Sequence, residues 1–338
     1  MNEKKTTLRE LLNKGQVFAP CVYDCLSVRC VELAGFKAAL LSGGAYAYSM
    51  CGIPDMGLLN PDELIWMTTR ITDYSPLPII IDADDGYGES PLNTYRTVQR
   101  LAKAGAMAVT IDDSTGIRGW ERQFNKNEGP HQVVSREVFL SKIKAAVEAV
   151  KDTDCMVIAR TEALVSQYGI EKPAEYHDAT SSSPFLVTTS SHLGMEEAVE
   201  RCIAARALGA DMTLVIGLKT LEQGELVAES DPGWKMWPDV SVTDGKSDVE
   251  LSDIEKLGFN LVTMHYTEKG AMFGMLDYGM RTIKDQNTVY IDEHDFDGWL
   301  PGKDHHILLA YWKKWMSMED EFNDLTKVNS KSYDIKFE

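Results

Sequence analysis

Aspartates gather at the ends of short apolar runs in this chain. PIIIDADDGYG carries Asp82, Asp84 and Asp85, AVTIDDS carries Asp112 and Asp113, and the GGAYAYSMCGIPD segment brings Asp55. Side chains alternate along a strand, so Asp82 and Asp84 share one face while Ala83 takes the other. Carboxylates crowded at one end of a sheet repel unless a positive charge stands between them. A hard divalent cation with oxygen ligands answers that need. Short aspartates with retained waters suit Mg2+, with Mn2+ as the alternative ion. Asp82, Asp84, Asp55 and Asp112 are therefore the expected metal group. A DxD pair by itself also suits a solvated loop or a helix cap. Its place at the end of an apolar run, with acids ending other runs, favours the metal.

Other chemistry-bearing residues end other runs. CMVIARTEAL carries Arg160 and Glu162. A guanidinium is a planar fork that grips a carboxylate or a phosphonate, or it forms an ordinary ion pair with a barrel carboxylate. Ser42, Gly43 and Gly44 end a second run. Glycines there let backbone N–H groups approach an anion, and they equally serve a tight turn. His265 ends the last run. Arg160, His265 and Glu162 are the candidate catalytic residues, and Ser42, Gly43, Gly44 and Arg160 the candidate substrate contacts. The histidines show no HxH or HExxH spacing, which disfavours a zinc hydrolase.

These residues need elements that bring their ends together. Eight apolar runs recur at 17–24, 38–44, 78–85, 108–114, 155–164, 212–217, 234–240 and 260–266. Several are continuous, as strands buried on both faces are. Helical patterns lie between them, opened by Asn, Asp, Ser or Pro and closed by Gly. Strand and helix alternating eight times predict an α/β fold of (β/α)8 TIM-barrel type, whose active site lies at the C-terminal ends of the strands. A doubly wound open sheet is the rival, but no GxGxxG follows the first strand. The barrel takes residues 1–285, with a Ser/Thr-rich insertion at 165–193 that is expected to cover or narrow the site. Residues 286–338 form a C-terminal helical tail. The tail's HHILLAYWKKWMSMEDEFNDL has an apolar stripe that its own barrel or a neighbouring subunit must cover.

Composition narrows the partners. The chain has 338 residues, with 34 Lys and Arg against 52 Asp and Glu, for a net charge of −18. Such a surface repels phosphate backbones and anionic lipid, so neither nucleic acid nor a membrane is an expected partner. A small anionic substrate stays open, because a metal or a few arginines reverse the sign locally. The six cysteines form no CxxC pair and read as reduced packing residues. The charged opening MNEKKTTLRELLNKG shows no signal peptide, and no run of about 18 apolar residues occurs. A cytoplasmic protein is the expectation.

The segments VYDCLSVRCVELAGFKAALLSGG, GIPDMGLL, PIIIDADDGYG, TIDDS and IARTEAL, in this order, resemble the isocitrate lyase/phosphoenolpyruvate mutase superfamily. The likeness is good over residues 15–165 and weaker to 285. It implies a (β/α)8 barrel, usually a homotetramer with its last helix exchanged between subunits. It also implies Mg2+ and a small 2-oxo or 2-hydroxy acid that reacts through a pyruvate-like enolate. By that resemblance Asp82 and Asp84 serve the metal and Asp55 and Asp112 act through its waters. Ser42, Gly43 and Gly44 would hold the substrate carboxylate, and Arg160 would clamp the oxyacid.

The chain departs from the family pattern in three places. Asp112 stands where Glu is usual, and DADDGYG replaces DADTGYG, which adds Asp85. The loop after the fourth strand, STGIRGWERQFNKNEGPH, lacks the KKCGH-like cysteine of the carbon–carbon lyases and the KTNS-like segment of the phosphonate enzymes. Gly116, Gly119 and Gly129 suggest that this loop is a lid or a plain surface loop. The expected function is a Mg2+-dependent carbon–carbon lyase, retro-aldol or decarboxylating, acting on a small 2-oxo or 2-hydroxy dicarboxylate. Its acid would be replaced by Tyr46, Tyr87, Glu162, His265, Arg118 or Arg122. The alternatives are a phosphonopyruvate mutase or hydrolase and a relative that binds a metabolite without turnover.

Overall fold

The computed structural model describes residues 5–115, 131–167, 193–240, 242–243, 246–289 and 311–324. Eight parallel strands close into a barrel: β1 (Val17–Val22), β2 (Ala39–Leu41), β3 (Ile79–Asp82), β4 (Ala108–Asp112), β5 (Met156–Thr161), β6 (Met212–Val215), β7 (Trp234–Trp237) and β8 (Phe259–Met264). Each strand pairs with its sequence neighbours, and β8 closes on β1 through Val17–Leu261 to Pro20–Met264. Each of the eight expected runs overlaps a barrel strand. The helices are α1 (Leu8–Leu12), α2 (Cys25–Leu33), α3 (Pro61–Tyr74), α4 (Pro91–Lys103), α5 (Arg136–Val150), α6 (Gly194–Ala207), α7 (Leu221–Ser230), α8 (Leu251–Lys256), α9 (Thr267–Asp285) and α10 (Trp312–Asn323).

Local chemistry sets the helix starts. Asn60 accepts from the N–H groups of Asp62 and Glu63, Glu63 reaches back to the Asn60 N–H, and Pro61 opens α3. Asp24 with Ser27 and Thr220 with Gln223 form the same reciprocal caps on α2 and α7.

The continuous apolar runs reflect burial on both faces. Ile79 and Ile81 face outward onto the helices, with Val109, Ile111, Val157 and Ala159. Ile80 faces inward with Leu40, Ala108, Ile158, Leu214, Met236 and Leu261, and this inner cluster draws on every strand. Leu8 and Leu12 of α1 join the inner cluster and plug one end of the barrel. Each fully buried Ile or Leu contributes about 1.5–3 kcal/mol. The inner parity then runs on to the other end. It carries Ile80 to Asp82, Ile158 to Arg160 and Leu261 through Thr263 to His265.

The chain divides into two compact units, Met1–Ala271 and Met272–Glu338. In the second unit, α9 exposes Met272, Phe273, Met275, Leu276, Met280 and Ile283, and α10 exposes Trp312, Trp315, Met316 and Phe322. Among the described residues no helix is long and apolar enough to cross a membrane. The six cysteines are free. Most of the insertion and the loop holding Arg118, Arg122, Gly116, Gly119 and Gly129 lie outside the described residues.

Candidate active site

Two adjoining cavities, about 310 and 400 Å³, occupy the end of the barrel where the strands finish. Both are lined by Asp82, Arg160, Ile216, Asp239 and His265. The smaller reaches down to Leu40, Thr110, Leu214 and Thr263. The larger is rimmed by Ser42, Gly44, Tyr48, Asp55, Asp84, Glu162, Glu268 and Lys269. Their sizes fall at the low end of the small-molecule range.

The segment after β3 turns sharply to deliver its acids. Asp84 (φ 46°), Gly86 (φ 88°) and Tyr87 (φ 60°) all adopt left-handed backbone, which costs a non-glycine residue of order 1–3 kcal/mol. A Cβ on Gly86 would lie 2.5 Å from Thr94 Oγ1, so only glycine fits there. The Asp112 N–H donates to the Asp84 carbonyl at 2.8 Å, tying the turn to β4. The Ser42 side chain accepts from the Ala45 N–H and starts one helical turn, Gly43–Tyr46. Asp55 packs onto that turn: a Cβ on Gly44 would stand 2.9 Å from Asp55 Oδ2. Asp84 Oδ2 lies 3.8 Å from the corresponding point on Gly43.

Arg160 bridges two acids. Its Nη1 donates to Asp82 Oδ1 at 3.3 Å, and its Nη2 to Glu162 Oε1 at 2.6 Å. Thr110 donates to the same Asp82 oxygen at 2.9 Å. The plane of the guanidinium is thereby fixed at the cavity wall. Across the cavity, His265 Nδ1 pairs with Asp239 Oδ2. Burial pulls the His265 pKa down, but the Asp239 carboxylate and the Cys21 thiol outweigh it and push it up to about 11. Cys21 is fully buried beside Thr263 Oγ1, 3.2 Å away, and burial holds its thiol above the usual range.

Asp82, Asp84, Asp55, Arg160, Glu162, His265, Ser42 and Gly44 thus come together, with Gly43 behind Asp84. Asp112 does not line either cavity. It is fully buried, and its Oδ1 accepts from the Ser114 N–H at 3.0 Å and the Ser114 hydroxyl at 2.7 Å. Tyr46 donates to the Glu63 carbonyl at 3.3 Å, also away from the site. Asp239, Tyr48, Glu268 and Lys269 also line the larger cavity and carry no mark in the sequence motifs above, Asp239 excepted. For Asp239 the signal was present, since it is an acid at the end of an apolar run.

Six carboxylates line the larger cavity against Arg160, Lys269 and His265, an excess of negative charge that a bound cation would offset. Among the described residues no three His, Cys, Asp or Glu side chains form a ready-made metal cluster. One or two aspartates with retained waters is the donor set that Mg2+ takes, and the residues present fit it.

Solved structures place this architecture in a class. The fold matches 2,3-dimethylmalate lyase, a PEP mutase/isocitrate lyase superfamily member, with TM-score 0.72 and 24% identity over 94% of this chain and 99% of that one. It matches phosphonopyruvate hydrolase in complex with oxalate and Mg2+ with TM-score 0.70 and 25% identity over 93% and 97%. The model of the phosphoenolpyruvate phosphomutase family matches residues 8–284, and the chain belongs to that family.

Three curated relatives stand beside it. The petal death protein of Dianthus caryophyllus is 29% identical over 96% of this chain and 91% of its own length. An oxaloacetate decarboxylase of Rhodopseudomonas palustris is 29% identical over 75% of each. A 2-methylisocitrate lyase of Salmonella typhimurium is 38% identical over 46% of this chain and 52% of its own length. The superfamily expected from the motifs is therefore the right one. The expected enzyme class, a carbon–carbon lyase of the isocitrate lyase/PEP mutase type, agrees with the names of two of these relatives.

Proposed function

We propose that this protein is a Mg2+-dependent carbon–carbon lyase. Its substrate is a small 2-oxo or 2-hydroxy dicarboxylate, cleaved by decarboxylation or retro-aldol chemistry through a pyruvate-like enolate. The observation that carries the reading is one cavity that joins Asp55, Asp82 and Asp84 to Arg160. The relatives named oxaloacetate decarboxylase and 2-methylisocitrate lyase, and the neighbour holding oxalate and Mg2+, support it.

Asp82 and Asp84 would hold the cation, with Asp55 acting through its waters; Mn2+ is the alternative ion. Bound there, the metal supplies Lewis-acid polarisation of a chelated oxo acid. Arg160 orients a substrate carboxylate in one plane, because Asp82 and Glu162 fix its fork. Gly44 would meet the other carboxylate through its backbone N–H and Ser42 through its hydroxyl. Loss of CO2 requires no acid on the departing fragment, whereas retro-aldol cleavage requires a base at the 2-hydroxyl and an acid at the other product. Glu162 and His265 line the cavity in those roles. His265 is the acid candidate by geometry, since Asp239 orients its ring toward the cavity wall.

The test is pyruvate formation from oxaloacetate and substituted malates, with and without Mg2+. Turnover that Mg2+ restores after chelation is expected. No turnover on any of them overturns the reading. Phosphonopyruvate in the same assay tests the second reading, carbon–phosphorus chemistry, which the family match and one structural neighbour favour. The six free cysteines suit a cytoplasmic enzyme. The exposed apolar side chains of α9 support the tetramer that the resemblance implies, and light scattering at micromolar concentration would show a single monomeric mass if that is wrong.

A further inference from the structure

Lys142 sits in the middle of α5 and is 2% exposed, although it lines neither cavity. A buried ammonium needs partners, and this one finds two on a single residue. Its Nζ donates to the Asp85 carbonyl and to Asp85 Oδ2, each at 2.9 Å. The other Asp85 oxygen accepts from the Tyr87 N–H at 2.9 Å. Asp85 is therefore held at three points, between two residues in left-handed backbone, Asp84 and Gly86. It is also the position at which the chain departs from the DADTGYG pattern.

Two consequences follow. The strained turn that points Asp84 into the cavity would relax unless something held it, and the Lys142 clamp is the charged part of that hold. The clamp also neutralises Asp85, so a third carboxylate next to Asp82 and Asp84 does not compete for the cation. We propose that Lys142 and Asp85 are positioning residues that fix Asp84 and thereby set the affinity of the site for its divalent cation. The inference rests on the metal reading above and extends it to residues that touch neither metal nor substrate. Outer partners of metal ligands typically change affinity 10- to 100-fold when removed.

The experiment is calorimetric titration of the whole protein with Mn2+ alone, supported by the Mn2+ spin-resonance signal. Lys142→Met is expected to weaken Mn2+ binding roughly 10- to 100-fold and Lys142→Arg to stay within about threefold of the unaltered protein. Lys142→Met leaves Asp85 without its partner, so Asp85→Thr/Lys142→Met is measured beside it. That double variant removes both charges together, so it is expected to keep the fold and still lose the clamp. It too is expected to bind Mn2+ at least tenfold more weakly, whereas a merely structural role would lower its urea midpoint and leave the affinity of folded molecules unchanged. Binding by the double variant within about twofold of the unaltered protein overturns the clamp alone. An unaltered protein that takes up no Mn2+ overturns the metal reading and the clamp with it.

Discussion

Arg160 and Arg201 each grip an aspartate on neighbouring segments of the barrel, at 3.3 Å from Asp82 and 3.0 Å from Asp113, yet they do different work. The Arg201 and Asp113 side chains are both 0% exposed, whereas those of Arg160 and Asp82 are 18% and 17% exposed and face the cavities. Burial raises the Asp113 carboxyl to about 6, against the pull of Arg201, Thr161 and the Glu162 N–H. Those last two bonds fasten the end of β5, the strand that carries Arg160. The inner pair is part of the frame. The outer pair keeps a face that a ligand can reach. Burial, and not residue type, separates structure from chemistry here.

Replacing one partner tests that separation. Arg201→Met leaves Asp113 buried and unpaired, and is expected to lower unfolding free energy by about 3–5 kcal/mol in urea titration. The KM of molecules that remain folded should hardly move. Asp84→Asn is expected to do the opposite: pyruvate formation falls about 10²- to 10³-fold while the urea midpoint holds. Arg160→Lys keeps the charge but loses the planar fork, and kcat/KM should fall about 10-fold with little change in folding. An equal loss of stability in Arg160→Lys and Arg201→Met would erase the distinction between the pairs.

The remaining effect concerns pH. The His265 pKa is raised in the fold to about 11, so its contribution to stability is full below the unfolded value of about 6.5 and is lost as pH rises through the folded value. Urea midpoints of the unaltered protein should therefore decline more between pH 6 and pH 10 than those of His265→Gln. Identical slopes would remove the His265–Asp239 pair from the site's electrostatics.

The frame was legible in the sequence because strands buried on both faces must be written as continuous apolar runs. The charged residues ending those runs marked the mouth for the same reason: the inner parity of β3 and β5 leads from Ile80 and Ile158 straight to Asp82 and Arg160. What stayed hidden depends on contacts between distant segments. Asp112 looked equivalent to Asp82, but Ser114 two residues on takes one of its oxygens. Asp113 meets Arg201 across 88 residues of sequence. Lys142 reads as a solvated helix lysine until α5 is packed against the turn after β3. Asp239 carries the same mark, an acid ending an apolar run, but its partner His265 lies 26 residues later and only the fold pairs them.

In the proposed enzyme the barrel-mouth aspartates hold a divalent cation on which an oxo acid docks. Oxalate imitates the enolate of such a substrate, so its calorimetric titration with and without Mg2+ tests the claim most directly. Tight binding only with Mg2+, lost in Asp84→Asn, is expected. Equal oxalate binding in chelator-treated protein, or in Asp84→Asn, would contradict it.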